Sequence, residues 1–232
     1  MTVPTDRVPS GPAALTAVLF DMDGVLVDST DAHVAAWNRF LEERGLEPPE
    51  AGVRSLFGRR AAEAVAMLLH LDLDSPELEE ALGDLERYAD ELLEGSGPGQ
   101  NLVYGAAGVV ADLADAGWRL AVATSARRHI AEHSLGRLRS AFEALVTAED
   151  VSHGKPHPEV YLTAAARLEV PPPACVVVED SVAGVEAGVR AGMHVVAVPT
   201  TAPEQRLVEA GAEVVLGHVA ELQRYLERSA DR

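Results

Sequence analysis

Two carboxylates, Asp21 and Asp23, stand at spacing i, i+2 directly after four apolar residues, Ala17-Val18-Leu19-Phe20, and before Gly24. If the backbone stays extended past Phe20, a period of two points both acids to the same side. Three more polar groups end apolar runs or follow them: Thr124-Ser125, Lys155 in Gly154-Lys155-Pro156-His157-Pro158, and Glu179-Asp180. Gathered in one place, the four acids repel strongly, since two unit charges ~4 Å apart cost about 4 kcal/mol at an effective dielectric of 20. A divalent cation relieves that repulsion. All the candidate ligands, Asp21, Asp23, Glu179 and Asp180, offer oxygen, which suits Mg²⁺ better than zinc or copper. Lys155 and the Thr124 hydroxyl add donors for a phosphoryl group. A carboxylate nucleophile (Asp21), an acid/base carboxylate (Asp23), a hard metal, a lysine and a hydroxyl together point to phosphoryl transfer through an aspartyl phosphate.

That chemistry requires elements that bring distant residues together. The run 17–20 reads as a strand buried on both faces of a parallel sheet, where ligands sit at the carboxyl ends. The next strand-like run begins only at 119. Between them the pattern stays helical: 32–44 with Val34, Trp37 and Leu41 at helical spacing, 61–71, and 77–93 behind Ser75-Pro76 as cap and first turn. Gly95-Ser96-Gly97-Pro98-Gly99 is the clearest linker. Helices at 106–116, 126–138, 158–168 and 182–191 then alternate with strands at 119–123, 144–147, 174–178, 194–198 and 213–216. Such βα units predict an α/β fold built on a doubly wound parallel sheet. A helical insertion explains the long gap after the first strand better than a structureless loop. The expected division is a core of 15–28 and 100–232, an all-helical cap at 29–99, and a loose tail at 1–14.

The 232 residues carry a formal charge of −18, which argues against nucleic acid and anionic membrane as partners but not against a small anionic metabolite in a local cationic pocket. The lone Cys175 has no internal disulfide partner and reads as a small residue in a buried strand. No apolar run approaches a membrane span and the start lacks a signal-peptide core, so the cytoplasm is the expected compartment, with a monomer as the default. The basic residues are 18 arginines and one lysine, Lys155. Compositional bias is one explanation; the other is that position 155 needs a compact ammonium.

These motifs, in this order, resemble the haloacid dehalogenase superfamily of phosphohydrolases, in the group with a helical cap inserted after the first strand. The resemblance runs from about Leu15 to Leu226 and rests on Asp21-Met22-Asp23-Gly24-Val25, Thr124-Ser125, Gly154-Lys155-Pro156 and Glu179-Asp180-Ser181 with Ala183-Gly184. It implies that Asp21 attacks phosphorus and that Asp23 protonates the leaving oxygen, then activates water. It implies that Thr124 and the Ser125 backbone N–H bind phosphoryl oxygens and that Lys155 bridges nucleophile and phosphate. Mg²⁺ would be held by Asp21, the Asp23 carbonyl and Asp180, with Glu179 near it or in its outer shell. Val25 stands where many relatives have Thr, and Tyr104-Gly105 replaces a frequent Pro-Gly hinge.

Small sugar- and polyol-phosphate phosphatases are the closest pattern, with a β-phosphoglucomutase-type mutase as the rival. Residues 30–97 contain no lysine, which excludes a Schiff-base phosphonatase; the acid at Asp23 disfavours a dehalogenase. A phospho-receiver domain would carry its acceptor on a later strand and have no insertion. His33 is a candidate leaving-group contact, as is Arg59 (or Arg60), each against a plain helix-surface reading. Trp37 reads as cap core, His157 as structural, and Gly184, Gly188 and Gly192 as close helix–sheet contacts. Thr124-Ser125 could also cap the helix after it, and Glu179-Asp180 could exploit a helix dipole.

Overall fold

The computed structural model describes residues 15–50, 52–56, 61–95 and 97–230. The tail expected at 1–14 and the turn carrying Arg59 and Arg60 lie outside the described residues. Six parallel strands form one sheet: β1 (Ala17–Phe20), β2 (Arg119–Ala123), β3 (Ala144–Val146), β4 (Cys175–Glu179), β5 (His194–Ala197) and β6 (Val214–Val215), in the order β3-β2-β1-β4-β5-β6. β1 pairs with β2 on one side and β4 on the other, in register Leu19 with Ala121 and Val177. Its four residues are fully buried because both faces are covered. Val18 and Phe20 pack with Leu120, Val122, Val176 and Val178 on one face. Ala17 and Leu19 pack with Ala121, Ala123, Cys175 and Val177 on the other. The period of two thus feeds two cores.

Helices cover both faces, as the doubly wound reading requires. α4 (Ala106–Asp115), α5 (Arg128–Leu135) and α9 (Leu222–Ala230) lie on the Val18 side. α6 (Glu159–Arg167), α7 (Val182–Arg190) and α8 (Glu204–Ala210) lie on the Leu19 side. Neither α8 nor α9 is visible in the apolar pattern. α8 buries one side chain, Leu207, and α9 anchors through Leu222 and Leu226, too few positions for a periodic signal. The helix expected over 126–138 is shorter, because a 3-10 turn at Gly136–Ala141 takes over its last part.

The stretch after β1 folds into α1 (Thr30–Glu43), a 3-10 turn (Val53–Leu56), α2 (Ala61–Leu69) and α3 (Pro76–Glu94). These pack around their own apolar cluster, in which Trp37, Phe40, Val65, Leu78, Leu85 and Tyr88 are buried. Ser75 caps α3, its Oγ accepting from the Leu78 N–H at 3.2 Å, with Pro76 in the first turn. The Arg44 guanidinium stacks 4.0 Å from the Phe40 ring and pairs with Asp84 at 2.7 Å, tying α1 to α3. The outgoing and returning chains cross side by side: the Asp28 N–H donates to the Asn101 carbonyl at 2.6 Å and the Val103 N–H to the Leu26 carbonyl at 2.9 Å. Among the described residues no helix is long and apolar enough to cross a membrane.

Candidate active site

Sheet pairing runs one residue beyond β1, since the Asp21 N–H donates to the Val178 carbonyl at 2.9 Å. The chain then coils into a single turn, the Met22 carbonyl accepting from the N–H groups of Leu26 at 2.8 Å and Val27 at 2.9 Å. Asp21 and Asp23 still border one cavity, so the turn preserves what extended backbone would have done. Gly24 makes the turn possible. Its φ is +76°, and a Cβ there would lie 1.8 Å from Asp180 Oδ2.

Lys155 comes in from the loop between β3 and α6. Its Nζ donates to Asp21 Oδ1 and to Glu179 Oε1, each at 2.7 Å, and its side chain is only 7% exposed. The Tyr161 ring lies 5.0 Å from the ammonium, and its hydroxyl donates to Glu179 Oε1 at 2.9 Å. A guanidinium would overfill this slot, so the compact-ammonium explanation of the single lysine has a structural basis. Glu179 is saturated: its Oε2 accepts from the Asp180 and Ser181 N–H groups at 2.8 Å and from Ser181 Oγ at 2.9 Å. Ser181 is the N-cap of α7, its Oγ accepting from the Gly184 N–H at 3.0 Å. Glu179 and Asp180 therefore precede the helix and do not sit in its first turn. Asp180 accepts a short hydrogen bond from Thr201 Oγ1.

The charges in this cluster decide its chemistry. Burial pushes the Asp21 carboxyl up to about 7; Lys155 pulls it down, while Glu179 and Asp23 push it further up. Asp180 is raised as well, by burial and then by Glu179 and Asp21. Burial works against the Lys155 ammonium, yet Asp21 and Glu179 outweigh it and hold that group well above its ordinary value. Glu179 is held below the usual carboxylate range despite burial, because Lys155 and its other donors favour the charged form. Three buried acids, Asp21, Glu179 and Asp180, thus face one cation and bring ligand oxygens within 4.8 Å of one another. Asp23 Oδ1 is buried without a hydrogen-bond partner. An all-oxygen set with excess negative charge and an orphaned acceptor fits a hard divalent cation.

Thr124, at the end of β2, is buried, and its Oγ1 accepts from the Ala126 N–H at 3.0 Å. This is a local turn; Arg127, not Thr124 or Ser125, is the N-cap of α5. Ser125 is exposed and lines a second cavity together with Asp23 and His33. The first cavity, about 240 Å³, has Asp21, Asp23 and Asp180 on the sheet side and His33, Trp37 and Leu56 on the helical side. Trp37 therefore serves two surfaces, being buried in the helical cluster and edging the cavity. Arg59 lies outside the described residues. His157, half-exposed, sits beside His153 and 3.7 Å from Glu159, away from Asp21 and Asp23 in the hydrogen-bond pattern.

Thr201 and Tyr161 are absent from the motif reading. Thr200-Thr201 follows β5 and could have been found by asking what every strand end carries; Tyr161, at helical spacing, looks like ordinary core. Gly184 and Gly188 are close contacts, as expected, but Gly192 has open space around it and φ +72°, so it turns the chain after α7. A Cβ on Gly184 would lie 1.6 Å from Glu179 Oε1. Gly184→Ala is expected to destabilise the protein by about 1–3 kcal/mol or more, because α7 must back away from a buried charge network. Thermal unfolding of the two proteins checks this; equal midpoints would contradict it.

Known proteins are similar to this chain in sequence and fold. The chain is 37% identical over 193 residues to hexitol phosphatase A of Escherichia coli (strain K12), covering 82% of this chain and 86% of that protein. It is 35% identical over 206 residues to validoxylamine A 7'-phosphate phosphatase of Streptomyces hygroscopicus subsp. limoneus, covering 88% and 94%. A solved structure of a putative β-phosphoglucomutase from Thermotoga maritima superposes with a TM-score of 0.69 at 30% identity, over 92% of this chain and 99% of that one. The haloacid dehalogenase-like hydrolase profile spans residues 18–198, from β1 to just past β5, and so takes in both ends of the acid cluster. By a profile match over most of its length and by its sequence relatives, the chain belongs to the haloacid dehalogenase-like hydrolase family.

Proposed function

We propose that the chain, a phosphoric monoester hydrolase by its kinship, cleaves small phosphorylated sugars or polyols through a phosphoryl group carried on Asp21. The observation that carries this reading is the buried Lys155 ammonium 2.7 Å from Asp21 Oδ1, where Asp21 in turn lines a cavity walled by α1. Lys155 works against burial and favours the ionised form of Asp21, whose side chain borders the cavity as a nucleophile. Asp21 attacks phosphorus while the bond to the alcohol oxygen breaks, and Asp23 delivers its proton to that oxygen. Asp23 then takes a proton from the water that attacks the phosphorylated Asp21, releasing inorganic phosphate. The Thr124 hydroxyl already accepts from Ala126, which leaves its own proton to donate to a phosphoryl oxygen, beside the Ser125 N–H. Asp21, Asp180 and the Asp23 carbonyl would hold Mg²⁺, with Glu179 behind them. When bound, that ion neutralises the crowded acids and withdraws charge from the phosphoryl oxygens. Residues 29–99 act as a cap over a core of 15–28 and 100–232, with His33 and Arg59 as its contacts to the leaving group.

The similarity to a putative β-phosphoglucomutase favours a second reading, in which the phosphate returns to the sugar. Phosphate release from a panel of sugar, polyol and nucleotide monophosphates, with Mg²⁺ and with a chelator, separates the readings. The expected result is turnover of sugar or polyol phosphates that the chelator abolishes. Turnover indifferent to the chelator, or confined to nucleotides, contradicts the proposal. Formation of glucose 6-phosphate from β-glucose 1-phosphate and trace bisphosphate, faster than free phosphate, favours the mutase.

A further inference from the structure

A second cavity, about 190 Å³, shares Asp23 and His33 with the first and continues between α3 and the start of α5. Its polar lining is Glu86 and Asp90 from α3 together with Ser125 and Arg127. Among the described residues, two buried side-chain oxygens lack a hydrogen-bond partner: Asp23 Oδ1 and Asp90 Oδ2. Both residues line this cavity. The Arg127 guanidinium approaches Asp90 Oδ2 to 3.4 Å but makes no hydrogen bond to it. Burial pushes the Asp90 carboxyl above its ordinary value, with Arg127 pulling it back. A carboxylate held at a cavity wall by one 3.4 Å ion pair and no hydrogen bond at Oδ2 keeps acceptor capacity, which rewards an incoming donor and penalises a ligand lacking one.

Position then says what the donor belongs to. Asp23 is the group that protonates the departing oxygen, so space bordering Asp23 on the α3 side is space for the departing alcohol. Among the described residues, its walls carry the carboxylates of Glu86 and Asp90 against one cation, Arg127. A hydroxyl-bearing chain finds acceptors there, whereas a second phosphate or a carboxylate meets like charge.

We propose that Asp90 selects the leaving group by accepting a hydrogen bond from one of its hydroxyls at its carboxylate, so that the preferred substrate is the monophosphate of a neutral polyhydroxy alcohol without a second anion at that end. This rests on the phosphatase reading above. It assigns to the last turns of α3 a specificity role that no motif in the sequence announces.

The test compares kcat/KM of wild type, Asp90→Ala and Asp90→Asn on sorbitol 6-phosphate, fructose 1,6-bisphosphate and p-nitrophenyl phosphate, whose leaving group has no further hydroxyl. Wild type is expected to prefer the hexitol phosphate to the bisphosphate. Asp90→Ala is expected to lower the hexitol-to-aryl ratio of kcat/KM about tenfold to a hundredfold, mainly through KM, with Asp90→Asn, which keeps an acceptor, in between. The ratio does not depend on how much of each variant folds. An unchanged ratio in Asp90→Ala, or a wild-type preference for the bisphosphate, overturns this inference alone. Absence of turnover by wild type on all three substrates overturns the phosphatase reading and the inference with it.

Discussion

Asp21→Asn is expected to lower phosphate release by about four orders of magnitude or more, the size of effect seen when a covalent nucleophile is removed. The amide is isosteric with the acid and its carbonyl still accepts from Lys155, so the loss falls on chemistry and spares the fold. Stability carries a second signature. The folded Asp21 carboxyl sits at about 7, against 3.8 for an unperturbed one. Between those values the metal-free native state keeps a proton that the unfolded chain has released. The contribution of this group to stability is therefore complete below about pH 4 and fades as pH rises to about 7. Asp21→Asn removes that slope. Urea unfolding of both metal-free proteins from pH 4 to 7 measures it; parallel pH curves, or residual turnover above a tenth of wild type, would contradict the assignment.

Lys155→Met is expected to cost about 3–5 kcal/mol of folding stability along with activity, because it leaves buried carboxylates without their cation. Asp21 and Glu179 would lose their 2.7 Å partner, and Glu179 has no exposed surface through which water could compensate. At about 2–4 °C per kcal/mol for a chain of this size, the melting point should drop by about 6–20 °C. Added Mg²⁺ should recover part of the loss by supplying another positive charge. Lys155→Arg should also melt low, since the slot admits no planar fork. The contrast is Arg39, which pairs with Glu43 and Glu91 at a surface where all three side chains are more than 40% exposed. Its loss should leave the melting point close to that of wild type, as exposed ion pairs contribute little. A Lys155→Met protein that melts like wild type would remove the lysine from the centre of the account.

The sheet and the acid cluster were legible because its strands are short apolar runs and three of them, β1, β2 and β4, end in or run directly into the polar residues Asp21, Thr124-Ser125 and Glu179-Asp180. Arg119–Ala123 has the limits that its sequence implies, and Asp21, Lys155, Glu179 and Asp180 meet as their strand ends and loop require. The supports of that cluster were not legible. Tyr161 and Thr201 each hold an acid through one hydroxyl, and a lone hydroxyl on a helix face or in a loop carries no pattern. Thr124 illustrates an ambiguity of residue type: Ser and Thr suit both caps and turns, and only the position of Arg127 at the start of α5 decides between them. Asp90 belongs to a helix rich in acids, where composition alone cannot separate a carboxylate facing a cavity from one facing water. α8 and α9 were missed for want of enough apolar positions.

The central claim is that the phosphoryl group rests on Asp21 during turnover, and it can be observed directly. Enzyme mixed with a hexitol phosphate and Mg²⁺, quenched in acid within one turnover and reduced with borohydride, should yield homoserine in place of aspartate at position 21, located by mass spectrometry of the peptide spanning β1. The same treatment of Asp21→Asn should leave that peptide unchanged. Reduction at Asp23 instead, or an unmodified peptide from wild type while phosphate is being released, would contradict the account.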